Sequence, residues 1–290
     1  MANKTPPTRK PAKKVKKTLP SAWKITRSAL DTIWQNRILF LGIALIYGLL
    51  TLVLVGLASN TDITSLKQSL KGSLGSVGST LAVFVSLIGS SDSSNNAAGA
   101  YQFMLGLIAS LAIIWALRQV SAGTAVRIRD AYYKGMYPLI PFVLILLVIS
   151  LQLLPLLVGS AIYAQVMTNG IAVSLVEKIA WAIFFGATAL ASLYMVVSSI
   201  FALYIVTLPD MGPIKALRSA RDLVKGRRWL LLRKVLFLPL ALVILAAIVM
   251  LPFIIWLTAL AQAVFFVIGL FVLVVMHSYL YTLYRELINE

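Results

Sequence analysis

Residues 38–58 read ILFLGIALIYGLLTLVLVGLA, a run of 21 residues without a charged side chain. A helix rises about 1.5 Å per residue, so about 20 apolar residues cross the hydrocarbon core of a bilayer. The run is too long, and starts too far from Met1, to be the apolar core of a secretory signal peptide, which is about 7–15 residues long. It therefore predicts a transmembrane helix.

Five more apolar segments of comparable length follow, at residues 101–117, 138–158, 179–208, 235–256 and 259–281. None shows the alternating pattern of about ten residues that marks the strands of a membrane barrel. We therefore predict an all-α fold, a polytopic membrane bundle of six transmembrane helices. The fourth segment spans 30 residues, so its helix must tilt, kink or extend past the membrane surface.

The composition supports a membrane protein and excludes several other classes. Hydrophobic residues make up 60% of the chain and charged residues 12%, against about 45–50% and about 25% in soluble domains. Soluble enzymes, coiled coils and disordered proteins do not combine so many hydrophobic residues with so few charged ones. The chain has no cysteine, which excludes disulfides, thiolate chemistry and cysteine-bound metals.

The charge distribution predicts the orientation. If the N-terminus is cytoplasmic and six spans alternate, the cytoplasmic segments are 1–37, 118–137, 209–234 and 282–290. These segments hold 23 of the 26 Lys and Arg residues, as the positive-inside rule requires. The sequence thus predicts a multi-pass protein in the plasma membrane of a prokaryote, with both termini in the cytoplasm.

Two regions outside the spans have their own character. Residues 1–20 carry seven basic side chains and four prolines, which predicts a disordered, polybasic cytoplasmic tail ahead of a membrane domain at 21–290. In residues 64–89, apolar side chains recur every three or four positions opposite lysines and serines. This segment is predicted to be a helix on the membrane surface, with partial insertion as the alternative.

An internal repeat precedes two of the spans. Residues 24–37 and 215–228 both read K-x-x-R-S-A-x-D-x-x-x-x-x-R, at an offset of 191. A degraded copy lies at 127–135, before the third span. We therefore expect three repeated units, each a short amphipathic cytoplasmic helix followed by a hairpin of two spans.

The repeated segments place apolar side chains on one helical face and charged ones on the other, so they are expected to lie in the inner headgroup layer. The charged face is either a solvated surface or a docking site for lipid headgroups or for a protein partner. The candidate lipid or partner contacts are Lys24, Arg27, Asp31, Arg37, Lys215, Arg218, Asp222 and Arg228.

No residue pattern predicts chemistry. The spans carry no central Asp, Glu, Lys or Arg, which argues against a proton- or sodium-coupled transporter. Phosphate-loop, dinucleotide, serine-hydrolase and zinc-peptidase motifs are absent. We predict no catalytic residue, no cofactor and no metal site, and hence no enzyme. The basic tail lacks interleaved aromatic residues, so anionic lipid is a better partner than any specific nucleic acid.

Uncharged polar side chains in the third and fourth spans are the candidates for a cavity: Gln152, Ser198, Ser199 and Tyr204. They either form hydrogen bonds between helices or line a cavity. A polar cavity in the middle of the membrane would favour a permease or lipid-handling transporter. A closed apolar core would favour the expected function, a non-enzymatic scaffold or membrane-homeostasis protein.

Two stretches carry a resemblance to known proteins: residues 216–229, ALRSARDLVKGRRW, and the ending Y-x-x-Y-R-E-L at 281–287. Over about residues 20–288, the chain resembles the membrane domain found next to bacterial glycerophosphodiester phosphodiesterases, and related six-span proteins. The resemblance implies a polytopic inner-membrane protein without an established active site. The catalytic part of the phosphodiesterases, rich in His and Glu, has no counterpart here, so enzymatic activity does not carry over.

Overall fold

The structure is a computed structural model that describes residues 20–55 and 96–289. The described residues form helices and short connections, without a strand among them. The predicted surface helix at 64–89 and residues 1–19 of the predicted tail lie outside the described residues.

The helices, in chain order, are α1 (Ala22–Gln35), α2 (Arg37–Leu54), α3 (Asn96–Ser121), α4 (Ile128–Gly135), α5 (Leu139–Thr168), α6 (Leu175–Ser199), α7 (Ala202–Ile205), α8 (Pro213–Val224), α9 (Arg228–Trp256) and α10 (Thr258–Ile288). Six of these, α2, α3, α5, α6, α9 and α10, are long and apolar enough to cross a membrane. The predicted all-α bundle with six such helices is therefore confirmed.

The long helices extend beyond several of the predicted limits. Helix α5 continues to Thr168, past the predicted end at 158, and α9 begins at Arg228, ahead of the predicted start at 235. Backbone hydrogen bonds extend a helix into residues that are too polar for hydrocarbon, so apolar runs underestimate helix length. Residues 159–168, predicted as part of a loop, are helical.

The long fourth segment has a two-residue irregularity in its helical hydrogen bonding near one end. Helix α6 ends at Ser199, and the chain turns through Ile200 and Phe201 before the single-turn helix α7. Phe201 and the residues of α7 are all buried. Ile200 and Phe201 keep right-handed helical dihedral angles, so Leu175–Ile205 is one candidate span of 31 residues whose last turn lies in the core.

The spans pack as a closed ring of three hairpins. The two helices of each hairpin contact one another: α2 with α3, α5 with α6, and α9 with α10. The first helix of each hairpin also contacts the second helix of another: α2 with α10, α5 with α3, and α9 with α6. Following these contacts leads around all six long helices and back to the start.

The short helix that precedes each hairpin packs on the second helix of another hairpin. Helix α1 packs on α10, α4 on α3, and α8 on α6 and α7. In α1 and α8 the buried positions correspond at the offset of 191, since Ile25 and Ala29 match Ala216 and Ala220. Helix α4 lacks the shared sequence string, so the arrangement as three repeated units stays a prediction.

The end of the bundle that carries α1, α4, α7 and α8 is called the basic end, because every described Lys and Arg residue except Lys178 lies in these helices, in the connections beside them or in the adjoining ends of the long helices. Side-chain hydrogen bonds to backbone carbonyls tie its helices together. They run from Ser278 to Ala29 (3.1 Å), from Tyr279 to Lys234 (2.8 Å), from Tyr132 to Ile43 (2.8 Å) and from Arg118 to Thr207 (2.6 Å). The main apolar core also lies at this end.

Candidate functional site

The described part of the chain has a cavity with mixed polar and apolar lining, which opens at the basic end between α5, α6, α8 and the start of α9. Its volume is about 430 Å³. Its polar lining consists of Gln152, Tyr194, Ser198, Ser199, Arg218, Arg221 and Arg228, and its apolar lining of Val148, Met195, Ile214 and Leu217. We call this cavity the arginine cleft.

The local sequence of α8 explains how its two arginines reach the cleft. Pro213 occupies the first turn of the helix, where its missing N–H costs no hydrogen bond. Ala216 and Ala220 are fully buried, so this face anchors the helix. Arg218 and Arg221 are exposed, and their spacing of three residues makes them neighbours on the helix surface.

A glycine turn brings the third arginine in from another helix. Gly226 has φ +81°, in the left-handed region where a residue without Cβ is not strained. The chain reverses there, and α9 begins at Arg228. The guanidinium carbon of Arg228 lies 5.0 Å from the ring centroid of Tyr194, a cation–π contact that fixes the direction of the arginine.

The described lining of the cleft carries positive charge without negative charge. Three arginine residues line the cleft, and none of its described lining residues is acidic. An arginine guanidinium keeps its charge at any physiological pH and presents donors in a planar fork that matches two oxygens of a phosphate or carboxylate. The cleft is therefore built to receive an anion.

The inner wall of the cleft is a hydrogen bond between two spans. Gln152 Nε2 of α5 donates to Ser199 Oγ of α6 over 2.8 Å. The other amide atom of the same side chain, Gln152 Oε1, is buried without a hydrogen-bond partner. One turn further along α5, the Leu156 N–H donates to Ser192 Oγ at 2.9 Å. Gln152 and Ser199 thus have both roles that the sequence left open: they form a hydrogen bond between helices, and they line a cavity.

Tyr204 lies apart from the other three cavity candidates. Gln152, Ser198 and Ser199 line the arginine cleft, whereas Tyr204 is buried in the core at α7. Its hydroxyl oxygen lies 3.2 Å from His277 Nδ1 of α10, within hydrogen-bond distance. Its ring stacks on Tyr284 at a centroid distance of 6.1 Å. The tyrosine contributes to packing between α7 and α10.

The structure divides the predicted headgroup contacts into two groups. Arg218 and Arg228 line the arginine cleft, and Lys215 and Asp222 are exposed on α8 outside its lining. The other four lie on α1 or at the start of α2, and all are exposed: Lys24, Arg27, Asp31 and Arg37. Because α1 packs on α10, this second group is not part of the cleft.

Two cleft residues escaped the sequence analysis, Arg221 and Tyr194. Arg221 was detectable, because it follows Arg218 by three residues on an amphipathic helix. It was not singled out because the two copies of the repeat differ at this position, where the first copy has Leu30. Tyr194 gave no signal, because its partner Arg228 is distant in sequence and only the fold joins them.

The described residues offer no group of His, Cys, Asp or Glu large enough to hold a metal ion. Within the arginine cleft, the side chains can hold a negative charge through the guanidinium groups and form neutral hydrogen bonds through the amide and hydroxyls. The cleft therefore has the chemistry of a binding site for an anionic, partly polar ligand.

Comparison of the chain with protein-family models, with curated proteins and with solved structures finds no match. The resemblance to the membrane domain found next to glycerophosphodiester phosphodiesterases stays a prediction.

Proposed function

We propose that this chain is a non-enzymatic protein of a prokaryotic plasma membrane, which binds anionic lipid headgroups through a basic cytoplasmic face. Its role would be that of a scaffold or membrane-homeostasis protein, and a protein partner can dock on the same face. The observation that carries the proposal is the arginine cleft, where three arginines gather without an acidic residue in the described lining.

The depth of the cleft supports a lipid ligand. Charged side chains are costly in hydrocarbon, so Arg218, Arg221 and Arg228 place the mouth of the cleft at the level of the headgroups. Each basic side chain near an anionic leaflet gains about 1 kcal/mol. Val148 and Met195 supply apolar lining, which suits the upper part of an acyl chain.

The orientation rests on charge. Of the 26 Lys and Arg residues, 23 fall in segments on one side of a six-span arrangement. Cytoplasmic leaflets rich in anionic lipid attract such segments. The arginine cleft, which lies at the basic end, would then face the cytoplasmic leaflet.

A second candidate function, a lipid-handling transporter, is favoured by one observation. Gln152 lines the cleft and lies near the middle of α5, 13 residues after Leu139, which is about 20 Å along the helix at ~1.5 Å per residue. A cleft that leads from the headgroup level towards the centre of a span offers a polar path for a headgroup.

Native mass spectrometry of the full-length protein tests the proposed function. The protein is purified in mild detergent and incubated with equal amounts of phosphatidylglycerol and phosphatidylcholine. We expect retained phosphatidylglycerol to exceed phosphatidylcholine, and the excess to be lost in the R218Q/R228Q double variant.

The repeat supplies a matched control, the R27Q/R37Q double variant. It changes the corresponding positions at the offset of 191 and removes the same charge from exposed sites outside the cleft. It should keep the excess of phosphatidylglycerol. Equal retention of both lipids by the unaltered protein, or an equal loss in both variants, would refute the headgroup site. Lipid scrambling by the reconstituted protein that is lost in R218Q/R228Q would instead establish the transporter.

A further inference from the structure

We propose that the arginine cleft selects lipids whose headgroup is a phosphomonoester, which exposes a terminal phosphate, over lipids whose phosphate is a diester. The inference rests on the proposed function and names the lipid class that the same site would take. It is carried by the number of arginines, by their placement on two helices and by the polar wall beneath them.

The charge of the cleft favours a phosphate with more than one negative charge. Three arginine residues line a cavity of about 430 Å³ without an acidic residue in the described lining. A phosphodiester carries a single negative charge, so it attracts the three arginines less strongly than a doubly charged phosphate does. A phosphomonoester carries about −1.5 to −2 at pH 7, because its second proton dissociates near pH 6.

The directions of approach favour three free phosphate oxygens. Arg218 and Arg221 extend from α8, while Arg228 extends from α9 and is held by Tyr194. Each guanidinium fork can pair with two oxygens. A monoester presents three terminal oxygens, enough for forks that arrive from two helices. A diester presents two, so it offers the same three arginines fewer charged acceptors.

The wall of the cleft suits the part of the lipid next to the phosphate. The Gln152 amide bonds to Ser199 and keeps one buried polar atom without a partner. The glycerol oxygens beneath the phosphate are esterified in a diacyl lipid, so they only accept hydrogen bonds, and the Ser198 and Ser199 hydroxyls of the lining can donate to them. The apolar side chains of Val148 and Met195 line the same cleft, beside the start of an acyl chain.

The sharpest test compares two lipids that differ by one methyl group. Dioctanoyl phosphatidic acid is a monoester, and dioctanoyl phosphatidylmethanol is the corresponding methyl diester. Their dissociation constants are measured on the full-length protein in mild detergent by microscale thermophoresis. We expect phosphatidic acid to bind at least about tenfold more tightly, the equivalent of one additional charge-assisted contact.

Variants locate the preference in the cleft. R221Q changes an exposed residue of α8 and leaves the buried alanine face of that helix intact, so it should fold and bring the two dissociation constants together. R218Q provides the same test at the neighbouring arginine. R27Q, the counterpart of R218Q on α1, should keep the tenfold preference.

The outcomes separate the two proposals. Equal dissociation constants for the two lipids, both weakened by R218Q and not by R27Q, would overturn the monoester preference and leave the headgroup site standing. Binding that neither R218Q nor R221Q weakens would overturn both. Glycerol 3-phosphate serves as the soluble competitor. If it displaces phosphatidic acid with the same dissociation constant as the lipid itself, the ligand is the free phosphate ester and the lipid assignment is wrong.

Discussion

Replacing Gly135 with alanine tests whether α4 docks against α3. A Cβ added at Gly135 would lie 3.1 Å from Ala112 Cα, 3.1 Å from the Leu111 carbonyl oxygen and 3.3 Å from Ala112 N. These are backbone atoms of a long helix and cannot rotate away, so the two helices must separate by a few tenths of an ångström. Overpacking of this kind costs about 1–3 kcal/mol. Gly135 ends α4, where alanine regains little helix propensity, so we expect a net loss of about 1–2 kcal/mol.

Gly186 provides the matched control. It lies within α6, and a Cβ added there meets nothing within 4 Å. Gly186→Ala should therefore be neutral or stabilise the helix by up to about 1 kcal/mol. Both variants are unfolded by SDS titration in mixed micelles, followed by far-ultraviolet circular dichroism. If Gly135→Ala is as stable as Gly186→Ala, α4 does not approach α3 as described.

Two further predictions concern the basic end and the orientation. Tyr132→Phe removes the hydrogen bond from the phenol to the Ile43 carbonyl and should cost about 1 kcal/mol in the same titration. Burial raises the pKa of Tyr132 from 10.0 to about 12, so the unfolded chain ionises first, and stability should fall between about pH 10 and pH 12. The Tyr132→Phe variant should lack this part of the fall, and an identical pH profile for both proteins would contradict a buried phenol. Reporter fusions at Gly170 and Gly212, in the connections before α6 and before α8, should report opposite sides of the membrane with Gly212 cytoplasmic. A shared location would refute the topology.

The spans were predictable because each follows from a local property. An apolar run of sufficient length has no other stable environment than lipid, and counting such runs gave the six helices. Their limits were less predictable, because helical hydrogen bonding continues into polar residues such as those of Arg228–Lys234 at the start of α9. The burial of the residues after Ser199 depends on how the helices pack, which the sequence alone does not show.

Most residues of the candidate site could be singled out from the sequence, but their meeting in one cavity could not be predicted. The polar residues of α5 and α6 stood out against an apolar background, and the arginines of α8 stood out through the repeat. Nothing in the sequence indicates that Gln152 and Arg218 line one cavity, because helix packing alone brings them together. Nor does the sequence indicate that Tyr204, in the same apolar segment as Ser199, lies beside His277.

The order in which the helices contact one another has a consequence for biosynthesis. Helix α1 emerges early, yet the Ala29 carbonyl on α1 meets Ser278 of α10, 249 residues later in the chain. At the usual synthesis rate of about 5–20 residues per second, that partner arrives about 12–50 s afterwards. The first amphipathic helix must therefore wait at the bilayer surface, uncovered, while every span is inserted. We expect the docking of α1 on α10 to be a late step of folding, so a ribosome that stalls before α10 would leave the apolar face of α1 open to chaperones and proteases.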